Sequence, residues 1–230
     1  MTLVRKHILS IDPYEAGKPI EEIRRQLGLK EIVKLASNEN PLGPSPKAVA
    51  AIKKNLGNLN RYPDSHGFYL KKKLAKVLNL QPTNIVLGNG SDELIDIIIK
   101  TFVEEDEQII TSDGTFLEYK IISQVKGRSV VTLPLRYFKY DLSSIKRKIG
   151  RNTKLIFISN PNNPTGTYVT RFELGDFMRD LPAKVLLVLD EAYDTFIDVD
   201  DFPNSLSYLK DKNVIVLKTC LLYTSPSPRD

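Results

Sequence analysis

Residues 154–166 read KLIFISNPNNPTG. The run from Leu155 to Ile158 is apolar without alternation, which describes a strand covered on both faces rather than one with a wet side. Directly behind it come two Asn-Pro steps and a glycine. A proline disfavours helical backbone in the residue before it, and Asn, Pro and Gly favour turns, so residues 160–166 form a rigid, non-helical loop. A side-chain amide on such a loop can be aimed in one direction. The fold then depends on how many similar runs surround this one.

Five more occur: NIVL (84–87), EQIIT (107–111), SVVTL (129–133), VLLVLD (185–190) and NVIVL (213–217). Helical or crossover-length segments separate them. Strand, crossover, strand, repeated about six times, predicts an α/β fold with a mostly parallel sheet flanked by helices. TRFELGDFMRDL (170–181) is one crossover helix, with Thr170 and Glu173 spaced as a capping box. Residues 1–45 read as an arm: a short helix around PIEEIRRQLG, then the extended IVKLASNENPLGPSP. Ser45 and Pro46 start a helix over KAVAAIKKNL.

Composition excludes several classes. The chain has 230 residues, 41% hydrophobic and 27% charged, enough for a sizeable soluble core. No apolar run is long enough to span a bilayer, and the first residues lack the apolar stretch of a secretory signal. Cys220 is the single cysteine, which fits a reducing, cytoplasmic setting. Two histidines, His7 and His66, are too few and too scattered for a histidine metal site. The net charge of +5 is mild. In the basic stretch YLKKKLAKVL, Leu70, Leu74, Val77 and Leu78 recur at helical spacing, so the lysines read as a solvated helix face rather than a nucleic-acid surface.

Ligands of parallel sheets bind beyond the carboxyl ends of the strands. Those positions hold Gly88-Asn89-Gly90-Ser91-Asp92-Glu93, Ser112-Asp113-Gly114-Thr115-Phe116, the 160–166 loop, and Asp190-Glu191-Ala192-Tyr193. In the first, a strand gives way through two glycines to a helix starting at about Ser91. Free N–H groups at a helix start favour a phosphate, although a plain strand-to-helix turn explains the pattern equally well. Asp190 ends an apolar strand and needs a partner, because a buried unpaired charge is costly. A helix cap, a salt bridge or the cationic ring nitrogen of a cofactor would each serve.

PNNPTG followed some two dozen residues later by DEAY resembles the fold-type I aminotransferases that use pyridoxal 5'-phosphate. The ordered set SNENPLGPSP, RYPD, GNGSDE and TFLEY is similar to the histidinol-phosphate aminotransferase branch, from about Asp12 to Thr219. The resemblance implies an N-terminal portion of such an enzyme: an arm at 1–45 and a partial cofactor-binding large domain at 46–219. It implies a small-molecule amino donor, a 2-oxo acid and, in the intact protein, a homodimer. A phosphothreonine decarboxylase-like enzyme is the alternative within the same fold. A cofactor-binding transcription regulator would need a helix-turn-helix segment for which the arm leaves no room.

The resemblance also assigns roles. Gly90, Ser91 and Asp92 match the segment that holds the cofactor phosphate, and Phe116 the aromatic that stacks on the pyridine ring. Asn163 and Tyr193 match the residues bonded to the ring's 3-oxygen, and Asp190 the carboxylate paired with the ring nitrogen. Tyr62 of RYPD matches a tyrosine that reaches the cofactor phosphate of the neighbouring subunit. The arm around residues 38–40 is expected near the substrate pocket. Two departures stand out. Gly114 occupies a position where relatives usually have proline. Leu222 falls where the family has the lysine that forms the Schiff base, so no catalytic residue is assigned. Lys218 matches a basic residue found just before that motif and is not expected to replace it. LLYTSPSPRD resembles nothing in the family, and residues 220–230 are expected to be a foreign tail on a chain that is itself inactive.

Overall fold

The structure, a computed structural model, describes residues 3–13, 17–35, 37–40, 42–210 and 213–220. In chain order its main elements are α1 (Ile20–Leu27), α2 (Pro46–Asn55), α3 (Phe68–Leu78), α4 (Gly90–Phe102), β1 (Gln108–Ser112), α5 (Glu118–Val125), β2 (Ser129–Leu133), α6 (Leu142–Lys148), β3 (Thr153–Ser159), α7 (Arg171–Arg179), β4 (Leu186–Asp190) and β5 (Val214–Leu217). The five strands form one sheet in the order β2-β1-β3-β4-β5, and every neighbouring pair is parallel.

Successive residues of a strand point to opposite faces, and both faces here are covered. Ile110, Ile156, Ile158 and Leu189 pack against residues of α6 and α7. Ile109, Leu155, Phe157 and Val188 pack against residues of α4 and α5. Covering both faces explains why the strands read as unbroken apolar runs. Each large side chain so buried contributes roughly 1.5–3 kcal/mol.

The α7 capping box forms as the sequence predicts. Thr170 Oγ1 accepts from the Glu173 N–H, and Glu173 Oε2 accepts from the Thr170 N–H at 2.8 Å. Ser45 is the N-cap residue of α2, with Pro46 in the first turn, but its side chain makes no capping bond.

One expected strand is absent. NIVL runs from a short 3₁₀ turn (Pro82–Asn84) into backbone that joins no ladder, and Val86 is 68% exposed. An apolar run marks a demand for burial, whereas a strand also needs a hydrogen-bonding neighbour. Among the described residues no strand pairs with residues 85–88 or with the outer side of β5. In β5 itself Val214 and Leu217 are buried, while Ile215 and Val216 are half-buried. No helix among the described residues is long and apolar enough to cross a membrane.

The strand order changes direction between β1 and β3: the chain leaves β1 towards β2, then returns to the other side of β1. Loops leaving the two strands at such a point diverge and open a crevice at the carboxyl edge. That crevice is where the predicted residues must be sought.

Candidate active site

The loop after β3 is held by its own asparagines. Asn160 Oδ1 accepts from the Val169 N–H at 2.7 Å, and its Nδ2 donates to the Val169 carbonyl at 3.2 Å. Asn162 Oδ1 accepts from Thr115 Oγ1 at 2.7 Å, and its Nδ2 donates to Thr165 Oγ1 at 2.8 Å and to the Gly114 carbonyl at 3.1 Å. Asn162 therefore ties the loop after β3 to the loop after β1 across the crevice. Tyr140 supports the same tie, donating to Thr115 Oγ1 at 2.7 Å and accepting from the Ser159 N–H at 3.3 Å. With these bonds made, Asn163 is left half-buried with its amide directed to Tyr193 Oη at 3.5 Å.

Tyr193 lies on the turn after β4. Its hydroxyl also accepts from Asn38 Nδ2 at 2.8 Å, which brings the arm onto the edge of the crevice. A partly buried ion cluster fixes that turn. Lys218, just past β5, pairs with Glu191 at 2.9 Å and with Asp194, the residues that bracket Ala192 and Tyr193. Burial opposes the Lys218 charge, but the two carboxylates outweigh it and hold the ammonium above its ordinary range. Burial pushes the Glu191 carboxyl up, with Lys218 opposing. Lys218 is therefore a committed structural cation.

Asp190 is the most constrained group. It is 4% exposed at the end of β4. Its Oδ2 accepts from Tyr119 Oη at 2.6 Å and its Oδ1 from the Ala192 N–H at 3.1 Å. Burial pushes its carboxyl up; the two hydrogen bonds pull it down without restoring it, and the nearby Asp92 charge adds to the rise. Among the described residues it forms no ion pair with Lys, Arg or His. A carboxylate has about four acceptor positions, so capacity for a further donor remains.

The other predicted residues take up several positions. Phe116 is half-buried beyond β1, and its ring meets Tyr119 edge-on with centroids 5.5 Å apart. Gly90, Ser91 and Asp92 form the first turn of α4, where Gly90 adopts φ +80°. Asp92 approaches Asp190 closely enough for their charges to repel. Tyr62 is fully exposed. Leu222 lies outside the described residues, as does the rest of the tail beyond Cys220. Gly114 has φ +71°, and an added Cβ would come within 3.2 Å of Leu135 Cδ1. A proline ring fixes φ near −65°, so this turn is built on the glycine and could not carry a proline unchanged.

Tyr140 escaped the sequence reading, and Thr115 and Tyr119 entered it only within quoted stretches, with no role assigned. Nothing local marks them: Tyr119 sits inside a helix with ordinary amphipathic spacing, and its partner is 71 residues away.

Residues 30–220 match the family described as aminotransferase class I and II. The chain is 45% identical over 217 residues to a histidinol-phosphate aminotransferase of Moorella thermoacetica, covering 94% of this chain and 56% of the relative. It is 42% identical over 221 residues to the same-named protein of Anaeromyxobacter sp., covering 95% and 61%. The crystal structure of histidinol-phosphate aminotransferase from Sinorhizobium meliloti in complex with pyridoxal-5'-phosphate superposes with a TM-score of 0.85 at 30% identity, covering 98% of this chain and 60% of that one. The chain thus spans somewhat over half the length of the relatives it matches. The parallel sheet, the crevice at its change of direction and the match over most of the sequence agree, and the chain belongs to the aminotransferase class I and II family.

Proposed function

We propose that this chain carries the cofactor-binding part of a pyridoxal-phosphate-dependent aminotransferase that exchanges an amino group between histidinol phosphate and a 2-oxo acid. The observation that carries the reading is Asp190: a buried carboxylate at a strand end, with two donors, no cation among the described residues and room for another bond. A protonated ring nitrogen supplies what that site lacks, so the residues fit the cofactor. Pyridoxal phosphate, when bound, supplies an electron sink for the bond broken at the substrate's α-carbon.

The chain's own residues would divide the work. Asp190 holds the proton on the ring nitrogen, since an adjacent anion favours the charged form of a base. Asn163 and Tyr193, already paired, donate to the ring's 3-oxygen. Phe116 covers a ring face and keeps water from it. The first-turn N–H groups of Gly90, Ser91 and Asp92, with the Ser91 hydroxyl, hold the phosphate; Asp92 contributes only its N–H, because its own charge repels the ligand. Tyr62, exposed in the single chain, reaches the phosphate bound by the partner in a homodimer. Residues 1–45 act as the arm and 46–219 as part of the large domain, in a cytoplasmic protein. With Leu222 at the position of the family's lysine and Lys218 committed to Glu191 and Asp194, the chain as written binds the cofactor without a covalent bond and does not turn over.

Titrating the purified chain with pyridoxal phosphate should change the cofactor's absorbance with saturation. Asp190→Asn should weaken binding roughly tenfold or more, the worth of one charge-assisted bond. Borohydride reduction followed by mass spectrometry should find no single lysine labelled stoichiometrically. Equal affinity in the Asn variant, or a stoichiometrically modified Lys218, would overturn the reading.

A further inference from the structure

Tyr119, on α5, is 0% exposed. Its ring stacks on Phe157 of β3 with centroids 4.7 Å apart and planes 4° from parallel, while Phe116 meets it edge-on. A side chain so gripped has one orientation, and in that orientation its hydroxyl points at Asp190 Oδ2, 2.6 Å away. Burial and the Asp190 charge push the phenol far above its ordinary range, so the hydroxyl keeps its proton and donates. The Ala192 N–H takes the other carboxylate oxygen, and together the two donors fix the carboxyl plane.

We propose that Tyr119 is a positioning residue for the cofactor's ring nitrogen: by donating to Asp190 it holds that carboxylate ionised and correctly rotated although the site is nearly dry. The inference rests on the functional reading above but concerns a residue that reading does not employ. The reason is electrostatic. Among the described residues the titratable groups acting on Asp190 are Tyr119 from α5, Asp92 from α4 and, beyond the first contact, Tyr140. None is a cation. Without Tyr119 the desolvated carboxyl, facing the Asp92 charge, would hold its proton more tightly. A neutral acid cannot favour a protonated ring, and a free carboxyl would turn to other acceptors. Phe116 strengthens the argument: the aromatic that would cover the ring leans on the tyrosine that orders the carboxylate, so one side chain sets the register of two contacts.

The test needs no turnover. With Asp labelled by ¹³C at Cγ, the Asp190 resonance, assigned by its loss in Asp190→Asn, is titrated in the cofactor-free chain. Tyr119→Phe conserves the stacked ring and removes the donor, so the Asp190 titration should move upward. Replacing Tyr119 with a difluorotyrosine, a stronger donor of the same shape, should move it downward, and this arm remains decisive where the Phe variant folds poorly. In parallel, Tyr119→Phe should weaken pyridoxal phosphate binding roughly tenfold, yet leave unchanged the affinity for an analogue with carbon in place of the ring nitrogen. An Asp190 titration that moves with neither substitution, or equal losses for both ligands, would overturn the proposal. A wild-type chain that binds neither ligand while Asp190 still responds to Tyr119 would instead overturn the functional reading.

Discussion

Three asparagines within four residues have different tasks, and hydrogen-bond valence separates them. Asn160 bonds within the loop itself, Asn162 ties the loop to the one after β1, and the Asn163 amide reaches across to Tyr193. Asp190 shows the opposite economy, with a charge held where water cannot reach it. The folded chain raises its carboxyl, so the proton is bound more tightly in the folded than in the unfolded state. Its contribution to stability is therefore whole at acid pH, below the unfolded value, and is lost as pH rises through the folded value. Asp190→Asn removes that loss. Urea unfolding across mildly acidic to neutral pH should show the wild type losing ground steadily to the Asn variant; a constant gap between them would contradict the assignment of burial as the dominant effect.

At the level of elements, what could be read from the sequence follows from which interactions are local. The five strands of the sheet were legible because burial on both faces leaves an unbroken apolar run, and α7 because its cap lies within four residues of chain. NIVL was misread, since the same signature says nothing of a neighbour to pair with. The placement of Phe116, Asn163, Asp190 and Tyr193 at or just beyond the ends of β1, β3 and β4 was legible because strand ends of a parallel sheet share one edge. The bond from Tyr119 to Asp190 and the Lys218 cluster were not, because tertiary packing alone brings those residues together. The local cap gives a direct measurement. Thr170→Ala removes the acceptor for the Glu173 N–H and should cost about 1 kcal/mol in chemical denaturation. No change in stability would mean that the Lys139–Glu173 ion pair anchors the start of α7 without the threonine.

Across the whole molecule, apolar coverage is uneven. The sheet and its helices are well buried, but Ile52, Leu56, Leu59, Phe68, Tyr69 and Val77 are all exposed. Exposed apolar surface on this scale marks contact with other chains. The purified chain should self-associate with rising concentration in sedimentation velocity, and replacing Phe68 and Tyr69 by Ser together should shift it towards smaller species; a strictly monomeric chain at tens of micromolar would refute this. The strand order β2-β1-β3-β4-β5 has a consequence in time as well as in space. Once β1 and β2 have paired, β3 takes the free side of β1, and each later strand joins the border left by the one before. No strand has to be threaded between two that are already joined. A nascent polypeptide leaving the ribosome can extend this sheet in the order of translation, each strand offering the next a finished template.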